Sequence, residues 1–207
     1  MIKLDATTEV PSRPFTALRS TDDDLQVMEQ MLDRLRRHIE ELPRTTDDAE
    51  RVTSRDDRFT DPSDRGIHRI VITDPGRVRE RHDLIVVGFF GQARADVDHE
   101  PIVDLESALI SDMAADANPL VYYNVHWPGV GWGNLVLFTD MDAKNGWGDD
   151  PRHAEAVERS PAHYHSIRLH VGDLPGGVVS RQAIELRRTR YFDFSGADPW
   201  TAVREIR

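Results

Sequence analysis

The chain has 207 residues, of which 39% are hydrophobic and 30% charged, and its formal net charge is -11. This length accommodates one domain with extensions, and so acidic a chain lacks the basic face that binding to nucleic acid requires. Cysteine is absent, which excludes zinc thiolate sites and iron-sulfur clusters, and the longest apolar run, LIVVGFF, is far shorter than the roughly 20 residues of a membrane-spanning helix.

The first 66 residues are predicted to form an arm, a helix and an acidic connector. Residues 1–20 are polar and lack an apolar signal core, so we expect an arm that is ordered only if it docks, and a protein of the cytoplasm with no membrane partner. Thr21 is the predicted N-cap of the helix, with three aspartates in the first turn. The apolar residues then recur at helical spacing, at Leu25, Met28, Leu32, Leu35, Ile39 and Leu42. We expect this stripe to pack against the domain body or a partner subunit.

Residues 44–66 carry almost no apolar side chains, which is typical of a surface connector. From residue 67 to residue 207 the pattern changes and predicts one domain. Strands are expected at 67–72, 83–92, 120–127, 134–138, 166–171 and 183–195, with a helix at 101–117 and one or two short helices within 141–164. The order strand, helix, strand, strand, helix, strand is that of a ferredoxin-like α+β fold, an antiparallel sheet with helices on one face.

The order of elements over residues 67–195 resembles that of the dimeric α/β-barrel superfamily, in which two such sheets pack face to face. The segment WGDDPRHAEAV, which contains Trp147 and His153, is similar to the helix that carries a Trp and a His in the antibiotic-biosynthesis-monooxygenase group and its haem-degrading members. This resemblance implies a homodimeric barrel enzyme of redox chemistry. It implies haem b as cofactor, with His153 as axial ligand of the iron and Trp147 as a wall of the pocket.

Other readings of these histidines stay open. His153 begins a helix, and a hydrogen bond to a backbone carbonyl or a carboxylate would explain it equally well. Its helical neighbours Ala156 and Val157 are expected to share its inward face. His163 and His165 could form a metal pair, but a third ligand is missing. We expect both to be surface imidazoles that are dispensable.

Alternation along the predicted strands places polar side chains on single faces. The polar residues are Arg168 and His170 in one strand, and Tyr122, Asn124, His126 and Asn134 in the hairpin. If these faces coincide, they line a pocket for an oxygenated or carboxylated small molecule. An antiparallel sheet with one solvated face would produce the same alternation.

Three functions are therefore expected as alternatives. In the first, the haem enzyme, the predicted catalytic residues are Arg168, His170, His126 and Asn124, of which Arg168 and His170 position an anionic group or move protons. In the second, no cofactor is needed, and His170 or His126 is the base of a monooxygenase or isomerase acting on an electron-rich aromatic substrate. In the third, the protein binds a ligand or assembles with other proteins without catalysis.

We also expect a homodimer on physical grounds. An antiparallel sheet with two partly apolar faces cannot be covered by helices on one side alone, so a second copy would cover the other face.

Overall fold

The computed structural model describes residues 1–43, 53–58, 66–116 and 118–207, and it is a mixed α+β fold. The strands are β1 (Ile2–Leu4), β2 (Thr53–Arg58), β3 (Ile67–Ile72), β4 (Asp83–Ala93), β5 (Val121–Trp127), β6 (Gly131–Phe138), β7 (Tyr164–Pro175), β8 (Glu185–Asp193) and β9 (Trp200–Glu205). The helices are α1 (Leu18–Glu41), α2 (Pro75–Glu80), α3 (Glu100–Asp116), α4 (Met141–Gly148) and α5 (Pro151–His163).

The described strands form one sheet in the order β1-β9-β8-β7-β4-β6-β5-β3-β2. All neighbouring strands are antiparallel except β1 and β9, which are parallel. The middle of the sheet comes from one continuous stretch of chain: α3 connects β4 to β5, a hairpin connects β5 to β6, and α4 and α5 connect β6 to β7. The six expected strands and the long helix α3 are therefore present.

The sheet extends beyond the expected strands at both edges. The expected polar arm contributes β1, which docks on β9, and residues 53–58 of the expected connector form β2, which pairs with β3. The rest of that connector, at 44–52 and 59–65, lies outside the described residues, as does residue 117. Strands β1 and β2, which both precede residue 67, thus belong to the same sheet as the strands that follow.

Helix α1 covers one face of the sheet. Met28, Leu32, Leu35 and Ile39 of the predicted stripe are buried in one cluster with sheet residues such as Val86. Residues at even positions of β4, including Leu84 and Phe90, belong to that cluster. Because side chains alternate along a strand, this side of the sheet faces α1, and the expectation that the stripe packs on the domain body is confirmed.

The predicted N-terminus of this helix is wrong. A 3-10 turn at Pro14–Thr16 leads the chain into the helix earlier, so the N-cap is Ala17, without a side-chain cap. Thr21 lies inside α1, and its hydroxyl is 3.3 Å from the hydroxyl of Tyr191. The first turn contains no acidic residue, and the aspartates fall one turn further along the helix than expected.

Helices α3, α4 and α5 lie on the opposite face. Ile85 on β4 is buried with Ile110 and Met113 of α3, and Trp147 of α4 packs against the same cluster. The helices that follow residue 67 therefore lie on one face as expected, and the N-terminal helix α1 covers the face that a second copy was expected to cover. The homodimer stays a prediction, but the need for a second copy to cover an apolar face of the sheet no longer supports it. In the described part of the chain, no helix has the length and apolar character that crossing a membrane requires.

The docking of α1 gives a first testable prediction. Replacement Leu35→Ala should lower the free energy of unfolding by about 2 to 5 kcal/mol, because it leaves a cavity between α1 and the sheet. The midpoint of urea unfolding measures this change. Gln30→Ala on the exposed side of the same helix is the control and should leave the midpoint nearly unchanged. A wild-type midpoint for Leu35→Ala would mean that α1 is not docked in solution.

Candidate functional site

The two polar sets that were expected to share one surface lie on opposite faces of the sheet. Asn124 pairs with Asn134, Asn134 pairs with Phe89, and Phe89 pairs with Leu169. Directly paired residues share a face, so Leu169 is on the side of Asn124. Its neighbours Arg168 and His170 therefore point to the α1 side. The expected convergence is wrong, because the register of β7 on β4 places the polar residues of β7 on the other face.

On the α1 side, Arg168 and His170 belong to what we call the Asp24 cluster, which consists of Asp24, Arg168, His170 and Thr189. The guanidinium of Arg168 donates two hydrogen bonds to the carboxylate of Asp24, of 2.5 and 2.7 Å. His170 Nε2 lies 2.9 Å from Asp24 Oδ2, and His170 Nδ1 lies 2.8 Å from Thr189 Oγ1. Burial alone would raise the pKa of Asp24, but the hydrogen bonds and positive charges of its two partners outweigh burial and lower this pKa.

The Asp24 cluster connects α1 to β7 and β8, and it is closed to ligands. His170 and Thr189 have an exposed fraction of 0%. A carboxylate, an imidazole and a hydroxyl in line can activate a nucleophile, but this hydroxyl has no surface that a substrate could reach. The arrangement is suited to fixing the position of α1.

The opposite face carries what we call the Glu106 cluster, which consists of Arg69, Glu106, Tyr122, Asn124 and Asn134. Asn124 Nδ2 donates to Glu106 Oε1 at 2.8 Å and to Asn134 Oδ1 at 3.0 Å, and Asn134 Nδ2 donates to the Tyr122 hydroxyl at 2.7 Å. Tyr122 also hydrogen-bonds Glu106, and Arg69 is the residue opposite Asn124 on β3. The chain thus places a carboxyl of α3 against a continuous row of neutral donors on the sheet.

Burial dominates the electrostatics of the Glu106 cluster. It raises the pKa of Glu106, because the hydrogen bonds from Tyr122 and Asn124 and the charge of Arg69 are too weak to offset the loss of water. Burial and the neighbouring carboxyl of Glu106 also raise the pKa of Tyr122 well above its ordinary value. Glu106, Arg69 and Asn134 each keep part of their surface exposed, so this cluster is not wholly shielded from solvent.

Sequence reasoning missed both carboxylates, although a signal for each was present. Glu106 lies four residues from Ile102 and four from Ile110, so it falls on the apolar stripe of α3. Asp24 lies four residues before Met28, on the stripe of α1. A carboxylate on an apolar stripe must be buried with a partner.

His126 lies two residues beyond Asn124 on β5 and therefore on the same face. Its ring stacks on Trp132 with 4.5 Å between the ring centroids and 9° between the planes, and His99 packs on Trp132 as well. Burial, and then the proximity of His99, lower the pKa of His126. His126 is consequently a neutral, partly exposed base at neutral pH.

His163 is not the surface imidazole that was expected. Its exposed fraction is 7%, because α5 turns Ser160 and His163 towards the sheet. The ring lies 5.4 Å from that of His99, centroid to centroid, and burial lowers its pKa. His165 is half-buried. Within the described residues no three His, Asp or Glu side chains are placed to hold a metal ion.

Trp147 and His153 lie together, with 6.3 Å between their ring centroids, but the space beside them does not fit haem. The cavity at Trp147 has a volume of about 90 Å³, whereas pockets for small ligands begin at about 300 Å³. A larger hollow of about 770 Å³ is an open depression on the outer side of α5 and is not lined by His153. Val157, expected to share the inward face of His153, has an exposed fraction of 58%.

The Asp24 cluster gives a second prediction. Asp24→Asn should lower the free energy of unfolding at neutral pH by about 3 kcal/mol, because Arg168 keeps its charge and loses its buried partner. The pKa of Asp24 is lower in the folded protein than the ordinary aspartic acid pKa of 3.8. This stabilisation is therefore fully present at pH values above 3.8 and is lost as the pH falls through the lower pKa of the folded protein.

Urea unfolding of both proteins over a series of pH values between neutral and strongly acidic tests this prediction. The wild type and Asp24→Asn should converge at the acidic end. Asp22→Asn, at an exposed position of the same helix, is the control and should follow the wild type throughout. A constant difference between the wild type and Asp24→Asn at every pH would contradict the role of the ionised carboxylate.

No model of a known protein family matches the chain, and no curated protein matches its sequence. The groups that the structure brings together are therefore the basis for a function.

Proposed function

We propose that the protein is an enzyme that transfers protons on a small carbonyl compound without a cofactor, at the Glu106 cluster and His126. The observation that carries this proposal is the carboxyl of Glu106, which is hydrogen-bonded to the Tyr122 hydroxyl and the Asn124 amide and whose pKa is raised by burial. Of the functions expected from the sequence, this is the isomerase alternative with a histidine base.

The donors suit the oxygen of a substrate. When Glu106 is protonated, it is an uncharged donor, as is Asn134 through its second amide hydrogen, while Tyr122 and Asn124 hold Glu106 in place through their own hydrogen bonds. Uncharged donors that are fixed in a buried place stabilise the negative charge that develops on a carbonyl oxygen when a neighbouring carbon loses its proton. A carboxylic acid kept neutral by burial supplies such a donor in known enzymes of this chemistry.

His126 supplies the base. Its pKa is lowered while that of Glu106 is raised, and opposite shifts on one surface assign an acid and a base. In the proposed reaction His126 takes a proton from the carbon beside the carbonyl, and the C–H electron pair forms a C=C bond. The carbonyl oxygen then takes up the displaced electron pair and accepts a hydrogen bond or the proton of Glu106. Return of the proton from His126 to another carbon, with return of any proton on the substrate oxygen to Glu106, restores the carbonyl and completes an isomerisation with no change in oxidation state.

We propose a ferredoxin-like core for this enzyme. The order β7-β4-β6-β5, the antiparallel pairing and the helical connections support it, because this is the pattern of the ferredoxin-like unit. In this arrangement the Glu106 cluster lies between the core sheet and α3, the first helix of the unit. A homodimer is retained as a proposal without a role in the chemistry, since every group of the proposed site comes from one chain.

Exchange of carbon-bound hydrogen for deuterium in D₂O, followed by ¹H NMR, tests the proposed reaction. The probes are an α-hydroxyketone, a β,γ-unsaturated ketone and a β-diketone. The wild type should accelerate exchange of at least one probe, and Glu106→Gln or His126→Gln should reduce the rate about 100-fold or more, which is the usual effect of losing a general acid or base.

The matched controls are Glu100→Gln on the same helix and His82→Gln, both at exposed positions, and they should keep the wild-type rate. The absence of exchange with all three probes, or full activity in Glu106→Gln, would contradict the proposal. Binding of a probe without exchange would favour a non-catalytic ligand-binding function.

The raised pKa of Glu106 gives a further prediction that needs no substrate. The folded protein binds the proton of the Glu106 carboxyl more tightly than the unfolded chain does. The contribution of Glu106 to the free energy of unfolding should therefore be fully present below the ordinary pKa of 4.5 and should be lost as the pH rises through the raised pKa. Urea unfolding measures this fall, which Glu106→Gln should remove and Glu100→Gln should retain. An identical pH dependence in the wild type and Glu106→Gln would contradict the statement that burial raises the pKa of Glu106.

A further inference from the structure

A group of cations lies on β8 and α4, away from the Glu106 cluster. We call Lys144, Arg188 and Arg190 the β8 cation patch. Arg188 is the residue opposite Val171, and Arg190 is opposite Leu169, so both arginines are on the helix-bearing face of the sheet. Val171 belongs to the core cluster against which α4 packs, which places the helix of Lys144 over this row of the sheet.

The cations of this patch have no carboxylate partner within the described residues. Lys144 Nζ donates to the side-chain oxygen of Asn145 at 3.2 Å. The guanidinium of Arg190 lies 5.1 Å from the centroid of the Phe192 ring, and its Nε is buried without an acceptor. Glu205 is the residue opposite Arg188 on β9, and it makes no ion pair with it in the part of the chain that the structure describes.

These charges also act on one another. Burial and the charges of Arg188 and Arg190 lower the pKa of Lys144, against a smaller opposite effect of Asp149. The chain has 37 acidic and only 26 basic residues, so three neighbouring cations without an ion pair are an uncompensated concentration of positive charge. An anion bound among them would offset their mutual repulsion and would supply an acceptor for Arg190 Nε.

His153 adds a fourth group to this side of the molecule. The charge of Lys144 contributes to lowering the pKa of His153, after the larger effect of burial. Its Nδ1 is buried and has no hydrogen-bond partner. The patch and His153 therefore come from three separate elements, β8, α4 and α5.

We propose that the β8 cation patch binds the phosphate group of a phosphorylated small molecule. Two guanidinium groups and an ammonium match the two negative charges and the several acceptor oxygens of a phosphate ester, whereas a single carboxylate offers one charge and two oxygens. Phe192 beneath Arg190 holds the guanidinium plane in place. This site lies on the same face of the sheet as Glu106 but towards the opposite edge of the sheet, and it does not depend on the proposed function.

Titration of the full-length protein with inorganic phosphate at low ionic strength tests this site. NMR resonances of the arginine Nε–H groups report binding directly, and acetate is the comparison anion. The wild type should bind phosphate saturably and more tightly than acetate. Arg190→Gln should raise the Kd about tenfold, which corresponds to one charged hydrogen bond. Lys144→Gln should also raise it.

Arg187→Gln is the matched control, because it removes the same charge from the same strand. Arg187 already pairs with Asp173 at 2.5 Å, so it is not expected to bind the anion. The substitution should leave the Kd nearly unchanged. If Arg190→Gln does not fold, Lys144→Gln on α4 provides the same test. Absence of saturable binding at millimolar phosphate, equal affinity for acetate, or an equal effect of Arg187→Gln would overturn the proposal.

Discussion

The contact between one buried carboxylate and two donors of β7 determines how this fold is assembled. Asp24 on α1 accepts hydrogen bonds from Arg168 and His170. Burying the carboxylate is unfavourable, and the paired geometry makes the position of the helix specific, since any displacement of α1 would leave charges without partners. Beside this contact, a Cβ on Gly88 would lie only 2.5 Å from the sulfur of Met28, so the glycine allows α1 to pack closely on β4.

The closed α1 face explains why we place the proposed site on the other side of the sheet. Asp24 and Glu106 are both buried carboxyls, and their pKa values move in opposite directions. Asp24 has the charged Arg168 in direct contact, and its negative form is favoured. Glu106 is hydrogen-bonded to uncharged groups, and its neutral form is favoured. Partners of different charge thus lower the pKa of one buried carboxyl, whereas burial raises the pKa of the other.

Local patterns in the sequence predicted the elements well and their relative placement poorly. The apolar periodicity that predicts α1, α3 and the hairpin of β5 and β6 lies within each element. It is the same whatever the register between the strands of the sheet. The face on which Arg168 and His170 lie depends on the pairing of β7 with β4, about 80 residues apart in the chain, and no local signal specifies such a register. The edge strands β1 and β2, and β9 next to β1, were not expected because they are short or polar. Asp24 and Glu106 could have been found from their positions on apolar stripes.

The register also keeps the two proposed sites apart. One row of paired residues crosses the helix-bearing face, in the order Arg190, Leu169, Phe89, Asn134 and Asn124. Apolar Leu169 and Phe89 stand between the β8 cation patch and the Glu106 cluster, and three strand spacings of about 4.8 Å separate the backbones of Arg190 and Asn134 by about 14 Å. This distance exceeds the Debye length of about 8 to 10 Å near physiological salt. In agreement with it, the positive charge that acts on Glu106 comes from Arg69, whereas Arg188 and Arg190 act on Lys144. Apolar side chains thus separate the β8 cation patch from the uncharged donor row on the same face of the sheet.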